Sequence, residues 1–270
     1  MSSIIKPTML ASVKGAGGYS LKVPLWADYN ADLETGKDGD LIYTMRDWSG
    51  NNRHGIAEFE YAPTLRIVGG KKYYDFTPYE NNSYTDLTRP KFFTIPSPAA
   101  IVSPVRIWCV KTVNHWPTTT RNHFGSLWSL SGNTGGSRES HHPYSDDKHY
   151  ESLAGTNVNN YRAVTQGNLK TLMEAEHLYT AENQNGTISN TLYAKLLSSG
   201  TEGGSLSGCG FGWVGPYRIG RGASDLGSDT ETWYRGMMRR MIIIPGNMLL
   251  TERDNITIYF KNLYNINLTG

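Results

Sequence analysis

The sequence is poor in cysteine: Cys109 and Cys209 are the only two among 270 residues. A small secreted scaffold held together by disulfides is therefore excluded, because such scaffolds are dense in cysteine. A chain of this length buries a substantial core without cross-links. We expect both cysteines to be reduced thiols.

The chain also lacks an excess of charge of one sign. It has 26 basic and 24 acidic residues and a formal net charge of +2. Nucleic acid as a main partner is excluded, because phosphate binding requires a basic surplus on one face. No stretch reaches the roughly 18 apolar residues of a membrane span, so no membrane partner is expected.

The N-terminal stretch MSSIIKPTMLASVKGAGG has no continuous apolar core of the signal-peptide kind. We therefore expect synthesis in a host cytoplasm without export. Residues 1–20 have a small, flexible composition that ends in KGAGGYS, and they predict an arm outside the core or over it. Residues 21–270 are expected to form one domain.

From Leu21 onward, short apolar runs alternate with turn clusters, which predicts an all-β sandwich. The run RIWCVKTV at 106–113 is the strongest candidate for a central strand. Most tryptophans lie in such runs and are expected in the core: Trp26, Trp48, Trp108, Trp128 and Trp213. The stretch YRGMMRRM predicts a strand with a polar outer face that carries Arg235, Arg239 and Arg240.

The C-terminal segment has a different periodicity. Ile256, Tyr259, Phe260 and Leu263 follow each other at the spacing of one helical face. Thr251 with Asp254 three residues later is a variant of the capping box. The pattern predicts one C-terminal helix packed on the sandwich.

Several of these stretches together resemble a known family. LWADYNADL, the turn RDWSGNNRHG at 46–55, YRIGRG at 217–222 and the closing strand and helix are similar to laminin-G-like domains. These domains belong to the concanavalin A-like lectin and glucanase superfamily and occur in phage structural proteins. The resemblance implies a two-sheet antiparallel jelly-roll sandwich with one C-terminal helix. It also implies carbohydrate recognition or a structural role on a virion.

The superfamily includes glycoside hydrolases, so paired carboxylates are the test for catalysis. A retaining glycosidase needs two carboxyl groups about 5–5.5 Å apart. The nearest fits are Glu58 with Glu60, which have no third carboxylate, and Glu252 with Asp254, which lie on the predicted helix. We therefore expect a protein without enzymatic activity.

The decapeptide HHPYSDDKHY at 141–150 carries the main candidate site. Aromatic rings can stack on the apolar face of a sugar while Asp and His bind its hydroxyls. The candidate carbohydrate-binding residues are Trp116, His142, Tyr144, Asp146, Asp147, His149 and Tyr150. Two alternatives stay open: a calcium site at Asp146 or Asp147, or only a hairpin turn from Pro143 to Lys148. No cofactor is expected outside the calcium alternative.

The functional prediction is a non-enzymatic surface component of a virion, such as a decoration or tail-fibre protein. The N-terminal arm would attach it to other virion proteins, and a homo-oligomer would bind glycans weakly and multivalently. The alternatives are an architectural virion subunit without a ligand, and a glycoside hydrolase whose carboxylates lie outside the usual patterns.

Overall fold

The computed structural model describes residues 23–77, 91–96, 104–114, 126–129, 139–145, 148–151, 162–165, 169–184, 187–195, 197, 201–206, 217–221 and 234–266. Its strands are β1 (Ala27–Asn30), β2 (Thr44–Met45), β3 (Gly55–Ile56), β4 (Thr64–Val68), β5 (Lys71–Asp75), β6 (Phe93–Ile95), β7 (Val105–Val113), β8 (Ser126–Ser129), β9 (Glu139–Ser145), β10 (Lys148–Glu151), β11 (Arg162–Thr165), β12 (His177–Gln184), β13 (Thr187–Ala194), β14 (Thr201–Leu206), β15 (Tyr217–Ile219) and β16 (Gly236–Pro245). Its helices are α1 (Leu169–Glu174) and α2 (Leu250–Leu263), with short 3₁₀ helices at Ala31–Leu33 and Phe59–Tyr61. No helix among these residues is long and apolar enough to cross a membrane.

The strands form two antiparallel sheets. Sheet I has the order β14-β13-β12-β7-β16-β5-β4, with β1 also paired to β16. Sheet II has the order β11-β10-β9-β8-β15-β6-β3-β2. The predicted mostly-β architecture with two antiparallel sheets and one C-terminal helix is confirmed, and the short α1 is an addition that the sequence reading missed.

Strand β7 lies at the centre of the molecule, as its sequence predicted. All nine of its residues are buried because both faces of the strand are covered. Ile107 and Cys109 belong to the core between the two sheets. Trp108 and Val110 belong to a second core on the outer face of sheet I, which α2 covers. The described part of the chain is therefore layered as sheet II, sheet I and α2.

Helix α2 covers sheet I with the apolar face that its spacing predicted. Ile256, Tyr259 and Phe260 are buried in the second core. The helix is capped at a different residue from the one predicted. The Leu249 backbone N–H donates to Glu252 Oε2 at 2.9 Å, so Glu252 closes the N-terminus.

A β-bulge in β16 determines where its arginines point. The pairing of β16 with β7 shifts register between Met238 and Arg240. Met238 and Met241 consequently both face the inner core although they are three residues apart. Arg240 reaches the outer face and is fully buried there, so the prediction that it lies on a solvent-facing polar surface is wrong.

Asp28 of β1 explains how Arg240 is buried. Arg240 Nε donates to Asp28 Oδ1 at 2.9 Å, and Arg240 Nη2 donates to Asp28 Oδ2 at 2.7 Å. Neither side chain is exposed to solvent. The Arg240 guanidinium also lies 5.3 Å from the centre of the Phe260 ring. The ion pair therefore joins β1, β16 and α2.

The turn RDWSGNNRHG has a structural explanation. Asp47 Oδ1 accepts the backbone N–H groups of Asp28 and Ser49 at 3.0 and 2.9 Å, and Oδ2 accepts that of Arg53 at 3.0 Å. The Asn51 amide donates to the Leu25 carbonyl at 2.7 Å. These bonds fix the turn against β1. They use both oxygens of Asp47.

His177 is a buried histidine whose pKa is strongly lowered. It begins β12, is fully buried and pairs across the ladder with Lys111 of β7. Its Nδ1 lies 3.0 Å from the Ala175 carbonyl oxygen, so Nδ1 carries the proton. Burial, and then the charge of Lys111, lower the pKa of His177 to about 3.

The Asp28–Arg240 pair predicts a large stability effect that depends on both residues. Arg240→Leu should lower the free energy of unfolding by roughly 3–5 kcal/mol, because Asp28 is left buried and unpaired. The double variant Asp28→Leu, Arg240→Leu should recover most of that loss. Urea unfolding of both variants is the measurement. A double variant no more stable than the single one would contradict the explanation.

The buried His177 predicts a loss of stability in mild acid. The pKa of His177 is about 3 in the folded state, below the unfolded value near 6.5, so the unfolded state binds the extra proton between these pH values. Stability should fall as the pH drops through this window, with about 2 kcal/mol of this contribution lost by pH 5. His177→Gln should remove that part of the pH dependence in urea unfolding at pH 7 and pH 5. Equal pH dependence of stability in the unsubstituted protein and in His177→Gln would contradict this role of His177.

Candidate functional site

A groove lies on the outer face of sheet I beside α2. Its cavity volume is about 280 Å³. The floor comes from β7, β12 and β13, and one wall comes from α2. The side chains that define it are Arg106, Trp108, Glu182, Tyr193, Arg253 and Thr257. Because α2 covers only part of the outer face of sheet I, the groove occupies the remainder.

Glu182 is the carboxylate at the centre of the groove. Arg106 is its direct cross-strand neighbour on β7, and Arg106 Nε donates to Glu182 Oε2 at 2.8 Å. Ser189 Oγ donates to Glu182 Oε1 at 3.0 Å, and Arg253 Nη1 donates to the same oxygen at 3.3 Å. Three neighbouring elements therefore hold this carboxylate in one orientation.

Arg106 is a fixed part of the floor. Besides Glu182, its Nη2 donates to Gln184 Oε1 at 2.6 Å and its Nη1 to the Gly246 carbonyl at 3.1 Å. Its side chain is only 3% exposed. Arg106 thus positions Glu182. The guanidinium that a ligand can reach is that of Arg253, whose side chain is 39% exposed.

Two aromatic side chains complete the groove. Trp108 Nε1 donates to Thr257 Oγ1 at 3.1 Å, and Thr257 Oγ1 donates to the Arg253 carbonyl at 3.0 Å, so the indole is locked to α2. Tyr193 is half-buried, and Lys261 Nζ lies 5.6 Å from the centre of its ring. Trp108 is only 1% exposed, so of these two rings Tyr193 is the one that a ligand can contact, beside the fixed charged groups.

A second carboxylate, that of Asp254, contacts the same arginine as Glu182. Arg253 contacts Glu182 through Nη1 at 3.3 Å and Asp254 Oδ1 through Nε at 3.6 Å. The Asp254 side chain is 63% exposed on α2 and is not among the residues that line the groove. Two carboxyl groups thus contact one guanidinium, one from the floor of the groove and one from the exposed surface of α2.

Another pair of carboxylates has a structural role. Arg239 donates to Asp32 at 2.9 Å and to Glu176 at 3.3 Å. Glu176 also accepts from Lys71 Nζ and Tyr73 OH, both at 2.7 Å. Burial, and then the hydrogen bond to Glu176, raise the pKa of Tyr73. These groups neutralise one another and do not line the groove.

The carboxylate pairs considered from the sequence have other positions. Glu58 and Glu60 flank Phe59 at the 3₁₀ helix Phe59–Tyr61, away from any strand. Glu252 caps α2, as described above. Asp254 is on α2, as predicted, and its Oδ1 lies 3.6 Å from Arg253 Nε.

The seven residues predicted to bind carbohydrate stay a prediction. Trp116, Asp146 and Asp147 lie outside the described residues. The backbone of His142 and Tyr144 is in β9 and that of His149 and Tyr150 in β10. None of the seven is among the described residues that line the groove.

The hairpin alternative for the decapeptide agrees in part with the backbone. Strands β9 and β10 pair with Ser145 opposite Lys148. Pro143 lies within β9, so the turn is shorter than the predicted span from Pro143 to Lys148. Within the described part of the chain, no group of three His, Cys, Asp or Glu side chains is placed to hold a metal ion. The calcium alternative at Asp146 or Asp147 concerns residues outside that part.

Several solved structures have a fold similar to that of this chain. No family model and no curated protein matches the chain. Domain 4 of a GH43 extracellular arabinanase from Geobacillus stearothermophilus, in complex with arabinotriose, matches with a TM-score of 0.54 and 10% identity, covering 86% of this chain and 97% of that domain. An arabinofuranosidase complexed with arabinofuranosyl-alpha-1,2-xylobiose matches with a TM-score of 0.51 and 10% identity over 95% of this chain. Trypanosoma rangeli sialidase in complex with sialic acid matches with a TM-score of 0.50 and 10% identity over 94% of this chain.

The chain spans 62% of the arabinofuranosidase and 37% of the sialidase. At this level of identity the likeness concerns the fold. The prediction of a non-enzymatic, phage-borne laminin-G-like protein is wrong on this comparison. The structures named above are two glycoside-cleaving enzymes and a domain of a third, and none of them is a laminin-G domain or a virion protein.

The groove predicts a stability effect at Arg106. Arg106→Met should lower the free energy of unfolding by roughly 2–3 kcal/mol, because it removes a buried partner of Glu182 and leaves the Gln184 and Gly246 acceptors unpaired. Arg46→Met is the matched control, since Arg46 is exposed and its guanidinium lies 5.9 Å from the centre of the Trp48 ring. The control should cost less than about 1 kcal/mol in urea unfolding. Equal losses for both variants would contradict the assigned role.

Proposed function

We propose that this protein is a carbohydrate-active protein of the glycoside-hydrolase type that binds a short saccharide in the groove between sheet I and α2. The observation that carries the proposal is the groove itself, where Glu182 and Arg253 stand beside the half-buried Tyr193 ring. A cavity of about 280 Å³ is at the small end of ligand pockets, which suits a short saccharide.

The chemistry of the groove favours a sugar over an apolar ligand. A saccharide ring has an apolar C–H surface and several hydroxyl groups. Aromatic rings such as that of Tyr193 provide apolar area together with a polar edge. Glu182 accepts hydrogen bonds from hydroxyls and Arg253 donates them, and hydrogen bonds to charged groups are the strong ones. Because Arg106 and Ser189 already orient Glu182, little ordering is needed on binding.

The structural neighbours support the class of ligand. The arabinanase domain is similar to this chain over nearly its whole length, and it was solved with arabinotriose. The arabinofuranosidase and the sialidase were solved with saccharides as well. Fold does not determine function, so the proposal depends on the groove and gains only support from these neighbours.

The finer architecture is part of the same proposal. The chain passes from sheet II at β8–β11 to sheet I at β12–β14, returns to sheet II at β15 and ends in sheet I at β16. Repeated crossing between two packed antiparallel sheets is typical of a jelly roll. We propose one jelly-roll domain over residues 21–270, with residues 1–20 as an arm.

Hydrolysis of the bound saccharide is the activity that Glu182 and Asp254 favour. Glu182 presents a negative charge that two guanidinium groups stabilise, which suits a carboxylate facing the positive charge that develops on the sugar. Asp254, on the exposed surface of α2, would donate a proton to the leaving oxygen as the glycosidic bond breaks. It would then take a proton from the water that adds to the sugar carbon. Both carboxylates contact Arg253, so their positions relative to each other depend on one side chain.

The groove predicts which variants lose saccharide binding. Tyr193→Ala should weaken binding of arabinotriose roughly three- to tenfold, because one ring contact is lost. Ile258→Ala is the control, since Ile258 is 52% exposed on α2 and does not line the groove. Isothermal titration calorimetry with arabinotriose, arabinofuranosyl-xylobiose and sialic acid is the measurement. The binding proposal fails if none of the three binds.

The same variants separate binding from cleavage. Glu182→Gln and Asp254→Asn should each lower the release of 4-nitrophenol from 4-nitrophenyl α-L-arabinofuranoside by at least about 100-fold. Asp38→Asn, which changes an exposed carboxylate elsewhere, should leave the rate unchanged. Unchanged rates in all three variants would exclude these two carboxylates from the reaction.

A further inference from the structure

We propose that Tyr43 and Phe59 form a second saccharide-binding site, specific for neutral glycans, at the edge of sheet II. We call this pair the aromatic platform. The groove lies on sheet I, so the two sites are on different sheets of the sandwich. The two sites share only the proposed class of ligand. Variants of the groove test the groove separately from the aromatic platform.

The backbone of two neighbouring segments holds the two rings of the platform together. Tyr43 precedes β2, and Phe59 begins the 3₁₀ helix that follows β3. The Tyr43 carbonyl accepts the Ala57 backbone N–H at 2.9 Å, which holds the two segments together. The two rings are nearly parallel, with an interplanar angle of 13° and centroids 6.1 Å apart.

Both rings of the platform are exposed. Phe59 is 74% exposed and Tyr43 is 43% exposed. Phenylalanine is normally buried, and an exposed ring contributes little to folding. By comparison, the rings of Tyr61 and Phe92, whose planes are tilted by 35°, are half-buried. An exposed pair of parallel rings is therefore better explained by a ligand that stacks on it than by a contribution to the core.

The surrounding charges restrict the ligand. Glu58 and Glu60 flank Phe59 and are both exposed. Two carboxylates at the rim repel nucleic acids, uronate-containing polysaccharides and anionic lipid surfaces. The same carboxylates accept hydrogen bonds from hydroxyl groups. A neutral saccharide, with an apolar ring face and many hydroxyls, fits both features.

The size of the platform argues against a protein partner. A specific protein–protein interface buries about 800 Å² on each side. Two ring faces provide only a small part of that area, which matches one or two sugar units. A site for a short stretch of glycan at the sheet edge, added to a groove on the other sheet, would increase binding to a long polymer by multivalency.

The test uses the full chain and affinity electrophoresis in native gels that contain arabinan, arabinoxylan or polygalacturonate. Phe59→Ala and Tyr43→Ala should each weaken retardation by the two neutral polysaccharides roughly three- to tenfold. Phe59→Trp should retain it, because the larger ring still stacks. Leu250→Ala is the matched control, since Leu250 is 65% exposed and lies on α2. Binding of arabinotriose in the groove should be unchanged in Phe59→Ala.

Each contrary outcome is distinct. Unchanged retardation of Phe59→Ala overturns the platform, as does a failure of the unsubstituted protein to bind either neutral polysaccharide. Stronger binding to polygalacturonate than to arabinan overturns the neutral specificity. A change of sedimentation coefficient in Phe59→Ala, without a change in retardation, identifies a protein contact instead. If Tyr193→Ala binds arabinotriose normally while Phe59→Ala loses polymer binding, the platform stands and the groove proposal falls.

Discussion

The ion pair between Asp28 and Arg240 is the constraint on which the outer half of the molecule depends. A buried charge is stable only next to a partner that is close and well oriented. The bulge in β16 brings Arg240 to the outer face, and β1 supplies Asp28 at 2.7 and 2.9 Å. Arg240 then packs against Phe260, which fixes α2 over the sheet. The helix in turn carries Arg253 to the groove.

The groove is a consequence of this arrangement. Its charged groups come from β7, β12 and α2. Arg106 and Glu182 are each held by more than one hydrogen bond, and Arg253 donates one to Glu182. Such a site needs little rearrangement to receive a ligand, because the protein has already ordered the side chains. Arg106 fixes Glu182 from below, which leaves Arg253 as the adaptable member at the surface. A fixed floor and one exposed cation are the features on which the proposed saccharide site depends.

Strand β7 and helix α2 could be predicted because their signals are local: an apolar β-branched run and an i, i+3, i+4 spacing. The burial of Arg240 could not, since its partner Asp28 is 212 residues earlier in the chain. Glu182 was overlooked for the same reason, as paired carboxylates were sought close together in sequence. The turn RDWSGNNRHG misled the family assignment. In this turn Asp47 accepts three backbone N–H groups, so the motif is explained by the structure of the turn and does not indicate a function.

The central position of β7 has a consequence for the order of folding. Its two ladder partners, β12 and β16, lie far downstream in the chain. Strand pairings between residues far apart in sequence form slowly, because the entropy of closing a long loop is lost before the contacts stabilise the structure. During synthesis, β7 therefore cannot pair with β16 until β16 has left the ribosome. Until then one edge of a strand that is buried along its whole length in the folded protein lacks its ladder partner.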